Sequence, residues 1–329
     1  EPLAGRVAAH RADHADGNLE PRGGDRLVEA LAPGMLLEPM PEDRLAGVGH
    51  ALEPDDEIDV EAAHDDDATT HMVDTVRRAG RGVTTLGIDL GTGSVKAAIV
   101  DDEGRVTGRA SHPYRVRSPR PGCAEGDPRE WLHAASEVAA SVTMGVPQRP
   151  TAVAFSGQMH GVVVTDKDLK PLRPAILWAD ARATVEAREM AEALSPAELS
   201  RLGSPAVTGF AATSIAWLLR HEPDVMAKAV HILQPKDWLR AAMGGGIATD
   251  PSDASGTLLF DVVDGAWSAR VLDWLGIDPA LLPEVMASTA RVGQVRIGGF
   301  PKGLECAVGA ADTACALAGL GASAGEGFV

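Results

Sequence analysis

Apolar and polar positions alternate most legibly between Val83 and Val142. An apolar, β-branched run from Val83 to Ile88 leads to Asp89, four small residues follow, and a second apolar run spans Val95 to Val100. Two short apolar runs around a glycine-containing tetrad predict strands over 84–89 and 95–101 joined by a tight turn. An Asp-Glu-Gly turn at 102–104 introduces a third strand reaching about Val116. Beyond a loop rich in Pro, Arg and Gly (117–127), the period changes. Trp131, Ala135, Val138 and Val142 recur on one helical face. Asp127 as N-cap, Pro128 at N1 and Glu130 at N3 give that helix the signature of a capping box. Further on, a buried strand is expected over 151–155, with 160–165 as its neighbour. Helices are expected over about 181–194, 213–220 and 235–243, and a strand over 229–233. Three strands in a meander, then a helix, then mixed elements predict an α/β layer architecture.

The first 82 residues have a different character. They hold 19 acidic and 8 basic residues, a balance of −11 out of the chain's −17, with no aromatic residue and no lysine. The acidic cluster runs from Asp55 through Asp67. Such a segment buries too little apolar surface to offset its ordering entropy. It is expected to be disordered or weakly helical, to add nothing to a site in the remainder, and to mark a domain boundary near Val83. Sequence translated from upstream of a start near Val83 would look the same. Five of the ten histidines lie here (His10, His14, His50, His64, His71), at spacings too irregular for a metal site.

The 329 residues allow two domains, or one large domain with appendages. Aromatic residues make up 4%, so Ala, Val and Leu must fill the core. Cys123, Cys306 and Cys315 are odd in number and lack metal spacing, which fits a reduced, cytoplasmic setting. No apolar run approaches the ~18 residues of a membrane span, and no charged-then-apolar leader opens the chain. Neither membrane nor nucleic acid is expected as a partner.

Candidate chemistry gathers at turns. Gly91, Thr92, Gly93 and Ser94 form a nest in which backbone N–H groups and hydroxyls face an anion, with Asp89 at its mouth. An ordinary hairpin with a glycine bulge explains the same residues. No G-x-x-x-x-G-K-[ST] loop occurs. Ser156-Gly157-Gln158-Met159-His160-Gly161 ends a strand, where α/β sheets place ligands. The Gln158 amide and His160 imidazole suit the hydroxyls of a polyol, although a surface turn is the plainer reading. Asp180 reads first as a helix N-cap, and Lys236 with Asp237 as a solvated pair in the first turn of a helix. The 249–257 run is an ordinary polar turn, with ligand contact as its alternative. Asp312 stands at the start of a small-residue helix whose dipole favours its carboxylate, with simple capping as the alternative.

Taken together, GIDLGT (87–92), SGQMHG (156–161), AILWAD-x-R (175–182), PKDWLR (235–240), TDPSDASGTLLFD (249–261) and GAADTACA (309–316) resemble the FGGY carbohydrate kinases. Within that family the xylulokinases are most similar, and the likeness runs from Thr85 to the C-terminus. It implies the actin-like, ribonuclease-H-like ATPase fold, in which two lobes close on ATP and sugar, with Mg²⁺. On this likeness Asp312 is the catalytic base. Asp89 is the phosphate-side carboxylate, which reaches the metal through water. Gly91, Thr92, Gly93 and Ser94 hold phosphates, while Gln158, Met159, His160, Gly161 and Asp253 face the sugar. The Met159–His160 pair favours a ketopentose over glycerol. Many relatives read G-W-x-E-Q-D-P where this chain has Cys123 and Gly126 in place of the tryptophan and glutamine. A second lobe carrying most ATP contacts is expected to follow Val329. The implied reaction is ATP-dependent phosphorylation of xylulose. A kinase for another ketopentose or polyol, a homodimer, and a non-catalytic sugar-binding fragment remain open.

Overall fold

A computed structural model of the chain describes residues 84–144, 146, 149–295 and 303–320. The acidic segment 1–82, and the boundary placed at its end, lie outside the described residues. The main sheet is built from β1 (Thr85–Leu90), β2 (Ser94–Val100), β3 (Val106–Pro113), β4 (Ala152–Gly157), β5 (Arg291–Val295), β6 (Leu304–Ala307) and the short β7 (Ala310–Ala311). Its order is β5-β6-β4-β1-β2-β3, and β7 pairs with β4 beyond β6. β1, β2 and β3 form the antiparallel meander read from the sequence. β1, β6 and β7 each run parallel to β4.

Burial follows position in the sheet. β1 and β4 lie inside and are almost wholly buried, which is why they read as continuous apolar runs. β3 lies at the edge and alternates partly buried with exposed residues. Helix α1 (Pro128–Thr143) returns the chain from β3 to β4 and lays Trp131, Ala135, Val138 and Val142 on the sheet, each nearly or fully buried. A second apolar cluster forms around Met190, Ile215, Leu218 and Leu258. It is supplied by α2 (Thr184–Ala193), α3 (Ala211–His221) and the segments that follow.

Several sequence expectations change in the structure. The third strand stops at Pro113, and 116–117 joins a separate small sheet with 125–126 and 175–176. Pro113 cannot donate to a ladder, and the Tyr114 N–H closes on Gly93 O instead, at 3.0 Å. The segment after His160 does not pair with β4, because residues 163–165 run antiparallel to 231–233 in a two-stranded ribbon. Asp127 caps α1 through the Arg129 N–H, while Glu130 turns away to Arg117, so the box does not close. Asp180 caps no helix: α2 begins at Thr184, and the Asp180 carboxylate is buried, accepting from the Ala124 N–H at 2.7 Å and from Arg182.

The largest correction concerns Lys236 and Asp237. They open α4 (Pro235–Ala242) but are not solvated: with Arg240 their side chains have no exposure. Lys236 Nζ lies 2.7 Å from Asp237, 3.3 Å from Asp250 and 3.4 Å from Asp253. Arg240 bonds Asp237 and two backbone carbonyls, those of Val308 and Ala248. Burial works against Asp237's charge, yet Lys236 and Arg240 hold its carboxyl below the usual range. Burial pushes Asp253 well above that range, and the like charges of Asp237 and Asp250 add to it. Asp253 lies on α5 (Pro251–Ser255), a short helix N-capped by Asp250 where the sequence pattern reads as a polar turn.

Candidate functional site

Parallel pairing brings three of the motifs to one end of the sheet. Asp89 of β1 and Ala310 of β7 are both register partners of Ser156 on β4, one on each side. Two strand spacings of ~4.8 Å put β1 and β7 about 10 Å apart. The 156–161 turn leaves β4 between them. Asp312 opens α6 (Asp312–Gly319) directly after β7. This approach depends on Gly309, whose φ is +84° and whose added Cβ would stand 2.0 Å from Phe155 O. Only glycine fits there.

Asp89 and Asp312 are both partly buried. Burial, followed by the Asp312 carboxylate, pushes Asp89 up to about 6, against the pull of Lys96 and a Ser156 hydroxyl. Lys96 is its cross-strand partner. Asp312 Oδ1 accepts from the Thr313 N–H at 2.7 Å and from the Thr313 hydroxyl at 3.2 Å. A hard divalent cation takes carboxylate oxygens and would offset the repulsion that Asp312 exerts on Asp89.

The raised Asp89 also has a consequence for stability in metal-free protein. Its folded pKa lies above the unfolded one, so the stabilisation it gives is present below about pH 4 and is lost as pH rises through about 6. Asp89→Asn should therefore melt above wild type at pH 8 in EDTA, with the gap closing toward pH 4. Melting curves that coincide at every pH would contradict this.

The glycine-rich turn at 91–94 is held from two sides. The Tyr114 hydroxyl donates to Gly91 O and accepts from Gln158 Nε2 at 3.3 Å, and Trp178 Nε1 donates to Thr92 Oγ1 at 2.9 Å. Tyr114 is the only tyrosine in the chain, and Trp178 leaves half its surface exposed. Sequence reading assigned neither to the site. Trp178 gave a signal by lying inside the 175–182 motif, whereas Tyr114 lies in no motif and stood out only as the sole tyrosine of the chain.

His160 has a left-handed backbone (φ 69°), rare for a residue with a side chain. Its ring packs on Phe210 with centroids 4.3 Å apart, and Nδ1 bonds Gly256 O. A carbonyl only accepts, so Nδ1 carries the proton and Nε2 of the neutral ring is an acceptor. An added Cβ at Gly256 would sit 2.7 Å from Met159 Cε and 3.1 Å from His160 Nδ1, so any side chain there would press on that pair. Met159 and His160 are partly buried, Gly161 is buried against Pro235, and the Gln158 amide is buried with Oε1 lacking a partner. Asp253 does not join them. Its carboxylate is fully enclosed 3.4 Å from Lys236 Nζ, with neither oxygen hydrogen-bonded.

The three cysteines are free and buried. Among the described residues no helix is long and apolar enough to cross a membrane.

Residues 84–319 match the N-terminal domain of the FGGY family of carbohydrate kinases. The chain is 36% identical over 244 residues to a xylulose kinase of Lactococcus lactis, covering 72% of this chain and 49% of that protein. It is 36% identical over 250 residues to a xylulose kinase of Streptomyces coelicolor, covering 74% and 51%. The crystal structure of xylulose kinase from Rhodospirillum rubrum superposes with a TM-score of 0.66 at 28% identity, over 69% of this chain and 49% of that one. The chain thus spans about half the length of the relatives it matches.

Proposed function

This chain belongs to the FGGY family of carbohydrate kinases, and we propose that it forms the sugar-binding side of an ATP-dependent xylulose kinase. The observation that carries this reading is the placement of Asp89 and Asp312 on either side of β4, with the Gln158–His160 turn between them. Phosphoryl transfer passes through a loose transition state, so positioning and charge neutralisation do most of the work. Asp312 accepts the proton of a terminal sugar hydroxyl as that oxygen bonds to the γ-phosphorus and the bond to the ADP oxygen breaks. Backbone amides of Gly91 to Ser94 face the phosphates. Mg²⁺ fits beside Asp89, directly or through water, and would supply positive charge to the phosphate oxygens. Gln158 and His160 orient the sugar through its hydroxyls, with His160 Nε2 as an acceptor, and Met159 packs beside them.

Substrate choice can be read by replacing His160 with Ala in the full-length protein. Its kcat/KM for xylulose should fall by about 5-fold to 100-fold, the ~1–3 kcal/mol cost of leaving a buried sugar hydroxyl without its acceptor. Activity on glycerol should change little. The comparison needs kcat/KM for xylulose, ribulose and glycerol on both proteins. Wild-type preference for ribulose or glycerol would keep the kinase and discard xylulose as its substrate.

A further inference from the structure

We propose that Ser252 is a positioning residue for Asp312, on the short helix α5, which with its flanks fixes both the base and the sugar-side histidine without touching substrate. The proposal rests on the kinase reading above. α6 has no side-chain cap of its own. Its first turn is tied instead to the 249–257 segment, where the Ala311 N–H, one residue before Asp312, donates to Ser252 Oγ at 3.0 Å.

The direction of that bond is set from below. Ser252 Oγ donates its one proton to Asp250 Oδ2 at 2.5 Å, which leaves only lone pairs to face Ala311. The same carboxylate oxygen accepts from the Ser252 N–H at 3.1 Å and the Ser288 hydroxyl at 2.9 Å. Its other oxygen faces Lys236 Nζ at 3.3 Å, inside the buried cluster. At the C-terminal end of α5 the Gly256 carbonyl holds the His160 ring. Arg240 grips Val308 O, just ahead of Gly309. The buried charges therefore hold the strand and helix that carry Asp312 from two directions. A displacement of ~1 Å in a reacting group can cost on the order of 100-fold, so a lost anchor one residue from the base should appear in turnover.

The test compares wild type, Ser252→Ala and Ser252→Thr as full-length proteins, with Asp312→Asn as reference. Ser252→Ala should lower kcat about 10-fold with the sugar KM within about twofold. Amide hydrogen exchange at 310–313 should speed up while the rest of the sheet stays protected. Ser252→Thr, which keeps the hydroxyl, should recover most of kcat and the slow exchange. Unchanged kcat, unchanged exchange at 310–313, or a Thr variant no better than Ala would overturn the proposal. So would equal losses in kcat, sugar affinity and melting temperature, which would mark general damage. A wild-type protein that phosphorylates no sugar would overturn the kinase reading instead, and the exchange measurement would still decide whether Ser252 holds the start of α6.

Discussion

Asp312→Asn in the full-length protein is expected to lose at least ~100-fold in kcat, the low end of what a positioned general base contributes. Asparagine keeps the shape of the side chain and an oxygen that can accept from the Thr313 N–H, as Asp312 Oδ1 does now. The helix start should therefore stay in place, and only the ability to take a proton is removed. The sugar KM should change little, because the loss falls on the transition state rather than on binding. Relief of repulsion on Asp89 gives an independent readout. Asp312 is the second cause of the raised Asp89 value, so in the variant Asp89 should titrate lower than about 6. Turnover near wild type would remove Asp312 from the role of base, whatever its position in the fold.

Lys236→Met should produce the largest loss of stability. Lys236 is fully enclosed with three carboxyl groups within 3.4 Å, and its removal leaves Arg240 on Asp237 while taking the neighbouring cation from Asp250 and Asp253. Breaking a buried ion pair by deleting one partner costs about 3–5 kcal/mol, since the remaining charge is left without compensation. For a domain of this size that corresponds to a fall in Tm on the order of 10 °C. Lys167→Met is the matched control: Lys167 and its partner Asp168 are more than two-thirds exposed, and an exposed pair contributes next to nothing. Urea unfolding of the two variants against wild type measures the difference. Equal midpoints for Lys236→Met and wild type would show that the cluster is not stabilising. Because Asp250 also anchors Ser252 and Arg240 holds Val308 O, the damage should extend to the setting of Asp312.

Much of the architecture was legible because it is written in local periodicity. The β1–β2 hairpin and α1 carry strong apolar repeats with turn or cap residues at their ends, and both stand where the pattern put them. The short elements read less well. Residues 160–165 are as apolar as a partner of β4 would be, but the register of a three-residue strand is decided by what packs around it. Asp180 and Lys236 show the same limit in charge. A carboxylate just ahead of a helix looks like a cap, and a Lys-Asp pair in a first turn looks solvated. Nothing nearby in the sequence reveals Ala124 reaching Asp180 from 56 residues away, or Asp250 and Asp253 closing over Lys236.

The site divides in the same way. Sequence by itself determined the chemistry on offer: a carboxylate at a glycine turn, an amide and imidazole at a strand end, an acid at a helix start, all with residue types and spacings fixed along the chain. Only the tertiary structure decided which of these meet. Parallel pairing of β1 and β7 to the two sides of β4 brings Asp89 and Asp312 together across more than 220 residues of chain. The same packing brought Tyr114, Trp178 and Ser252 against the motif residues and enclosed Asp253 beside Lys236. The physical reason is that periodicity and capping act within a few residues, whereas burial and charge pairing depend on neighbours in space, which the chain order does not list.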